Sequence, residues 1–283
     1  MKKSGLSMLP VLLWLCLFLV VPMLIVVGIS FMGRDDLGNV VLDFNLDAYA
    51  LFFDPLYLGI YWDTILLSVL TTALCLLLSY PLAYYIANAG PRMQTWGLVL
   101  ITVPFWINFL IRTYAWVLLL RTQGIVNELL LGIGLISEPL QMLYTKGAVL
   151  LGMVYTFIPF MVLPIYVALE QMDKKLLEAA SDLGATRWRS FWHITLPQTK
   201  SGIMTGSVLV YVSTTGMFVV TDILGGAKSA MISNIIQSQF LGARNWPFGS
   251  ALSVIFVITS LILIALFNRA MTSRYQKVRE VRS

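Results

Sequence analysis

The chain has 283 residues, 58% hydrophobic and 12% charged, with a mean hydropathy of +0.83 and a net charge of +5. A soluble domain carries roughly 25% charged residues, so a single water-soluble core is excluded and a bilayer is the expected solvent. The basic balance does not indicate nucleic acid, because Lys and Arg sit at the ends of apolar runs.

Six stretches approach the ~20 apolar residues that a crossing helix requires. In chain order they are about 8–31, 64–87, 96–118, 147–169, 201–221 and 249–267. The first begins like a signal peptide, MKKSGLSMLPVLLWLCLFLV, but its apolar run continues to Phe31 without a small-x-small cleavage site. A retained first span is therefore expected. Pro22, Pro81, Pro104, Pro159 and Pro164 lie inside the runs and predict a packed bundle of kinked helices. Residues 32–63 mix acids with Phe44, Tyr49, Phe52, Phe53 and Tyr57, and 119–146 contain NELLLGIGLI, too apolar for a solvated loop. Both segments predict short helices over one mouth of the bundle. Residues 268–283 form a tail, no internal repeat is visible, and 1–283 reads as one all-α polytopic membrane domain. Cys16 and Cys75 fall inside apolar runs, and His193 is the only histidine, so neither a disulfide framework nor a metal site is expected.

Charge placement sets the orientation. With the N-terminus in the cytoplasm, thirteen Lys and Arg lie inside, Lys2 and Lys3 among them, and six lie outside. Five acids then lie inside and nine outside. Both termini and the segment 170–200 are expected in the cytoplasm.

That segment contains EAASDLGATRWRSFWHITLP, residues 178–197. Asp173 is placed to cap a helix through KKLLEAASDL, with Leu176, Leu177, Ala180 and Leu183 on one face. Gly184 suits the left-handed end of that helix. Thr186 is placed to cap a second short helix through RWRSFWHI, which Pro197 is expected to terminate. A helix–corner–helix of this kind fits a groove in a partner. Periodicity alone equally supports an amphipathic helix on the lipid surface, with Trp188, Phe191 and Trp192 as anchors.

The spacing Glu178-Ala179-Ala180, Gly184, Ile194 and Leu196-Pro197 resembles the EAA loop of ABC importer permeases. FMGRDDLG, VPFWINFLIRTYAW, RTQGIVNELL, TDILGGAK and NWPFGSALS extend the likeness to the permeases of polyamine (spermidine/putrescine) importers over nearly the whole chain. The resemblance implies the type I ABC importer permease fold and a place in the cell inner membrane. It assigns Glu178, Ala179, Ala180, Gly184, Leu196 and Pro197 to ATPase coupling. It also implies a cytoplasmic ATPase dimer carrying ATP and Mg, a second homologous permease subunit of the PotC type and an external polyamine-binding protein. One departure is VSTTGMF at 212–218, where a more apolar stretch is expected.

No G-x-x-x-x-G-K-[ST] loop is present, so ATP hydrolysis is expected on another chain and no cofactor on this one. Nor does any acid fall mid-span, which weighs against an ion-coupled carrier. That carrier, a permease for a different small solute and a non-transporting scaffold are the competing readings. A polycation calls for carboxylates and aromatic faces. Asp222, with Tyr211, Met217 and Phe218 nearby in sequence, is one candidate group for the solute path. Trp106 and Tyr114 belong to a second, which also holds Asn108, Arg112 and Trp116. Helix packing, a solvated acid and an interfacial aromatic belt are the corresponding structural readings. Arg112 in an apolar run requires a partner or an interfacial position, since mid-span it costs about 2.5–3.5 kcal/mol.

Overall fold

The apolar runs become helices, and on two of them small residues make up much of the buried face. A computed structural model describes residues 10, 11, 13–35 and 38–280, with side chains as far as 269 apart from 227 and 228. The expected start of the first span at residue 8, Lys2, Lys3, Asp36 and the last residues of the tail, 281–283, lie outside the described residues. The helices are α1 (Leu13–Ile29), α2 (Asp47–Phe52), α3 (Pro55–Asn88), α4 (Pro91–Trp106), α5 (Phe109–Leu120) and α6 (Ile125–Gly132). They continue as α7 (Lys146–Glu170), α8 (Lys175–Asp182), α9 (Arg187–Ser190), α10 (Lys200–Thr215), α11 (Ile232–Leu241) and α12 (Trp246–Glu280). By contacts the chain divides into two units, one holding the chain to Trp62 with Ile232–Leu266, the other Asp63–Met231 with the chain from Phe267.

In the first unit, Phe31 leads into an antiparallel hairpin of β1 (Met32–Arg34) and β2 (Val40–Phe44), with Met32 opposite Phe44 and Arg34 opposite Val40. Helices were expected here. The run VVLDF favours the extended chain, and the turn is built for it. The Asp35 carboxylate accepts from the Asn39 backbone N–H at 2.6 Å, and Gly38 takes φ +89°. The short helix α2 follows, in line with expectation. Phe52 and Ala48 from α2 pack with Phe248, Ala251 and Leu252 from α12 and Ile232 from α11. Tyr57 and Phe248 meet edge to face at 4.8 Å, and the Tyr61 hydroxyl bonds to Thr259.

The second unit is built around α7, whose most apolar window is 56% buried, against 28% for α3. Thr64, Ser68, Thr71, Cys75 and Ser79 recur at helical spacing on α3 and are all buried. Their small side chains let α3 approach α7 closely. Cys75 Sγ lies 3.7 Å from the Val154 carbonyl and Ser79 Oγ 3.5 Å from that of Ile158. Both partner numbers rise together, so α3 and α7 run parallel. α10 runs antiparallel to α7. A Cβ at Gly202 would lie 2.5 Å from the Pro164 carbonyl oxygen, and one at Gly206 would lie 2.8 Å from Met161 Sδ. This Gly-x-x-x-Gly pair lets the two backbones touch.

Two predicted crossings differ from plain helices. The stretch 96–118 is broken at Ile107–Asn108, where the axes of Pro91–Trp106 and Phe109–Gly132 meet at 93°. Pro104 precedes the break, and the Asn108 side chain caps the new helix by accepting from Leu110 N–H at 2.8 Å. The stretch 201–221 is helical only to Thr215, after which Gly216 opens a bend and the chain re-coils as a π-helical turn over Thr221–Gly225.

Candidate functional site: the segment between α7 and α10

Two short helices with a sharp corner connect the paired helices α7 and α10. The Asp173 carboxylate accepts from the Lys175 backbone N–H at 3.0 Å and starts α8. Gly184 ends it at φ +77°. The Gly184 N–H reaches the Ser181 carbonyl at 2.9 Å, and the Ala185 N–H reaches that of Ala180 at 2.9 Å. This pair of bonds is the Schellman closure. A Cβ at Gly184 would have nothing within 4 Å, so the glycine is needed for its backbone angle, not for space. Thr186 Oγ1 then caps α9 by accepting from Arg189 N–H at 3.3 Å.

Pro197 does not terminate this second helix. The chain passes through a π-helical turn, Phe191–Thr195, where the Leu196 N–H bonds five residues back to the Phe191 carbonyl. Pro197 then sits in the first turn of Leu196–Gln198, a position where its missing N–H leaves no bond unmade. The helical path bends at Thr199 and continues as α10.

No residue of α8 is buried. Glu178, Ala179 and Gly184 are exposed and Ala180 is half-buried, while Leu183 is 89% exposed. Leu196 is half-buried and Pro197 exposed. The structure thus brings Glu178, Ala179, Ala180 and Gly184 together on one free helix and corner, and puts Leu196 and Pro197 at the root of α10. Trp188 and Trp192 are exposed, but Phe191 turns inward onto α3, meeting the Tyr80 ring at 5.6 Å and the Tyr84 ring at 6.0 Å. Sequence reasoning grouped Phe191 with the two tryptophans, because a contact 111 positions away in the chain leaves no periodic signal.

The solute-path candidates lie at the other end of the α7–α10 pair. Asp222 is exposed in the π-helical turn, and α5 packs beside that turn. Tyr114 (58% exposed) lies on α5, and Trp106 (81% exposed) lies at the break before it. Met217 is half-buried, Phe218 is at the surface, and Tyr211 on α10 is buried. Thr214 and Thr215 turn their hydroxyls onto their own helix, at the Val210 carbonyl and at that of Tyr211 (3.1 Å). These two hydroxyls of the polar departure at 212–218 are therefore satisfied within α10, and such back-bonding weakens a helix end.

Arg112 is only 9% exposed. Its guanidinium carbon lies 5.8 Å over the Phe105 ring, and its Nε has no hydrogen-bond partner. Among the described residues no carboxylate pairs with it. Trp116 packs edge-on against Tyr155 at 5.5 Å. Asn127, which the sequence did not single out, holds the segment 119–146 together. It is buried, its Oδ1 accepts from Leu140 N–H at 2.9 Å, and its amide donates to the carbonyls of Thr122 and Leu140 at 3.1 and 2.9 Å.

Four comparisons bear on this arrangement. Residues 79–280 match the family model described as binding-protein-dependent transport system inner membrane component. The chain is 41% identical over 265 residues to the spermidine/putrescine transport system permease protein PotB of Escherichia coli K12, covering 94% of this chain and 96% of that one. Its fold is similar to a chain of a bacterial ABC transporter that imports the acidic polysaccharide alginate, with TM-score 0.80, 19% identity and 95% of each chain covered. A chain of a bacterial alginate ABC transporter in complex with an alginate-pentasaccharide-bound periplasmic protein gives TM-score 0.73, at 21% identity and over 97% of this chain and 95% of that one. With its match over more than half its length, this chain belongs to the inner-membrane permease components of binding-protein-dependent ABC transport systems.

Proposed function

We propose that the chain is one of two permease subunits of an ATP-driven polyamine importer, with spermidine and putrescine as substrates. The observation that carries the coupling half of this reading is the free helix and corner at 175–185, held at both ends by helices whose backbones touch through Gly202 and Gly206. A segment with no buried residue on its first helix, anchored at both ends, is suited to being gripped. In this reading Glu178, Ala179, Ala180 and Gly184 enter a cleft of a separate cytoplasmic ATPase, and Leu196 and Pro197 pass the movement to α10. ATP binding closes the ATPase dimer and rocks the permease pair between its two states.

The substrate half is supported by the 41% identity to the spermidine/putrescine permease protein of Escherichia coli. It is also supported by the exposed carboxylate of Asp222 beside a helix that carries Tyr114, since a polyamine is bound by acids and aromatic faces. Met217, Phe218 and Trp106 line the approach, and Tyr211 forms the wall behind. Arg112 repels a cation and stays outside the path. An external binding protein delivers the solute, a reading supported by the complex of the alginate transporter with its pentasaccharide-bound periplasmic protein. Both termini and the 170–200 segment face the cytoplasm on the charge distribution. In support, Asp63 and Lys146, assigned to the same outer side, form an ion pair of 2.7 Å.

The test is ATPase stimulation of the reconstituted complex by its binding protein across spermidine, putrescine, other cations and neutral solutes. The reading expects stimulation by the two polyamines. Stimulation confined to another solute class overturns the substrate assignment.

A further inference from the structure

We propose that Phe191, Tyr80 and Thr199 form a latch that carries movement of the coupling segment directly into α3, beside its covalent route into α7 and α10. This inference rests on the coupling role proposed above. Phe191 opens the π-helical turn of the segment. Its ring stands edge-on to Tyr80 at 88° and to Tyr84 at 85°, and Trp188 stacks on it at 6.0 Å. The Tyr80 hydroxyl lies 3.0 Å from Thr199 Oγ1. Thr199 has one hydroxyl hydrogen, which it donates to the Thr195 carbonyl at 2.9 Å, so it accepts from Tyr80. The chain Tyr80 O–H to Thr199 O–H to Thr195 C=O is buried at all three residues, where a hydrogen bond is electrostatically stronger than in water. One contact thus grips the segment at the ring of Phe191, and the other grips it at the bend where it becomes α10.

The consequence is mechanical. Apart from this latch, movement of α8 and α9 reaches the bundle through the chain at their two ends. With it, the same displacement also reaches α3, a 34-residue helix about 50 Å long that runs parallel to α7. An anchor for the lipid surface alone has no need of the inward ring or of the buried hydrogen-bond chain. Trp188 and Trp192, the exposed members of the ring cluster, supply that function.

The experiment uses the complete complex in liposomes, reading solute taken up per ATP hydrolysed, with assembly measured on the same samples. Tyr80→Phe removes the hydrogen bond and keeps the ring, and Phe191→Leu removes the ring contacts and keeps an apolar side chain. Both variants are expected to assemble at the wild-type level, with uptake per ATP about threefold to tenfold lower, the scale of one lost buried interaction. Wild-type uptake per ATP in both variants overturns the latch. Loss of assembly in both overturns it as well, since the contact then serves folding alone. Gly184→Val separates this outcome from failure of the parent reading: normal uptake in that variant removes the coupling role itself, whereas defective uptake there with normal Tyr80→Phe and Phe191→Leu removes only the latch.

Discussion

The two ends of the α7–α10 pair are built in opposite ways. At one end, the chain between Gly216 and Ser229 folds back onto α7. The Tyr144 N–H bonds to the Leu224 carbonyl at 2.9 Å, and a Cβ at Gly225 would lie 2.7 Å from both Val149 Cγ2 and Ser229 Cβ. At the other end, α8 has no buried residue, and a Cβ at Gly184 would have nothing within 4 Å. A glycine at the packed end is there for space, and a glycine at the free end is there for its φ angle. The packed end fixes its geometry from within, while the free end leaves its surface for another molecule.

Substitutions break or sharpen this contrast. The largest effect belongs to the seam common to both ends. Gly202→Leu drives a side chain into the backbone of Pro164 and Ile165, where even a Cβ would lie 2.5 and 3.0 Å away. We expect at least about 3 kcal/mol of destabilisation, the upper range for overpacking, seen as a lowered melting temperature and lost assembly. Gly225→Ala and Gly184→Ala test the contrast itself. The first is expected to cost about 1–3 kcal/mol through crowding and to lower the melting temperature of the purified chain. The second is expected to cost about 1–2 kcal/mol through the left-handed backbone, confined to the segment, so the melting temperature holds while binding to the ATPase falls. Equal melting shifts in the two variants contradict the contrast.

Asp222→Asn comes next. The group is exposed, so the chain's stability is expected to stay within about 0.5 kcal/mol, while polyamine uptake falls about twofold to fivefold, the scale of one solvated charge contact. The smallest effect is expected from Lys146→Gln. The Asp63–Lys146 pair is about half exposed on both sides and is worth under ~1 kcal/mol, which a thermal melt in low and high salt checks.

The legible parts of the molecule are those that local chemistry decides. Asp173, Gly184 and Thr186 each act within three residues of themselves, and each does what its residue type predicts. Long apolar runs likewise become helices wherever nothing interrupts them. What escaped was decided at a distance or by competition between neighbours. The break at Ile107–Asn108 depends on a cap winning over continued helix, and the apolar count across 96–118 hides it. The hairpin at 32–44 is decided by Val40 and Val41 together with the Asp35 turn, against a background of aromatic residues that reads equally well as helix. Pro197 was expected to end a helix, but a π-helical turn beforehand absorbs its missing N–H. The contact of Phe191 with Tyr80 joins residues far apart in the chain. Among the path candidates, the fold separates Tyr211, which is buried, from Asp222, Trp106 and Tyr114, which are exposed. Sequence periodicity had no means to make that division.

The central claim is that a nucleotide-driven partner grips the free corner of this permease. Its most direct test places a cysteine at exposed Ser181, in a chain with Cys16 replaced, and cross-links the assembled complex in vesicles of known sidedness. The account predicts an adduct with the nucleotide-binding subunit, formed by reagent applied to the cytoplasmic face. Labelling of that cysteine from the external face, or an intact complex that yields no such adduct, contradicts it.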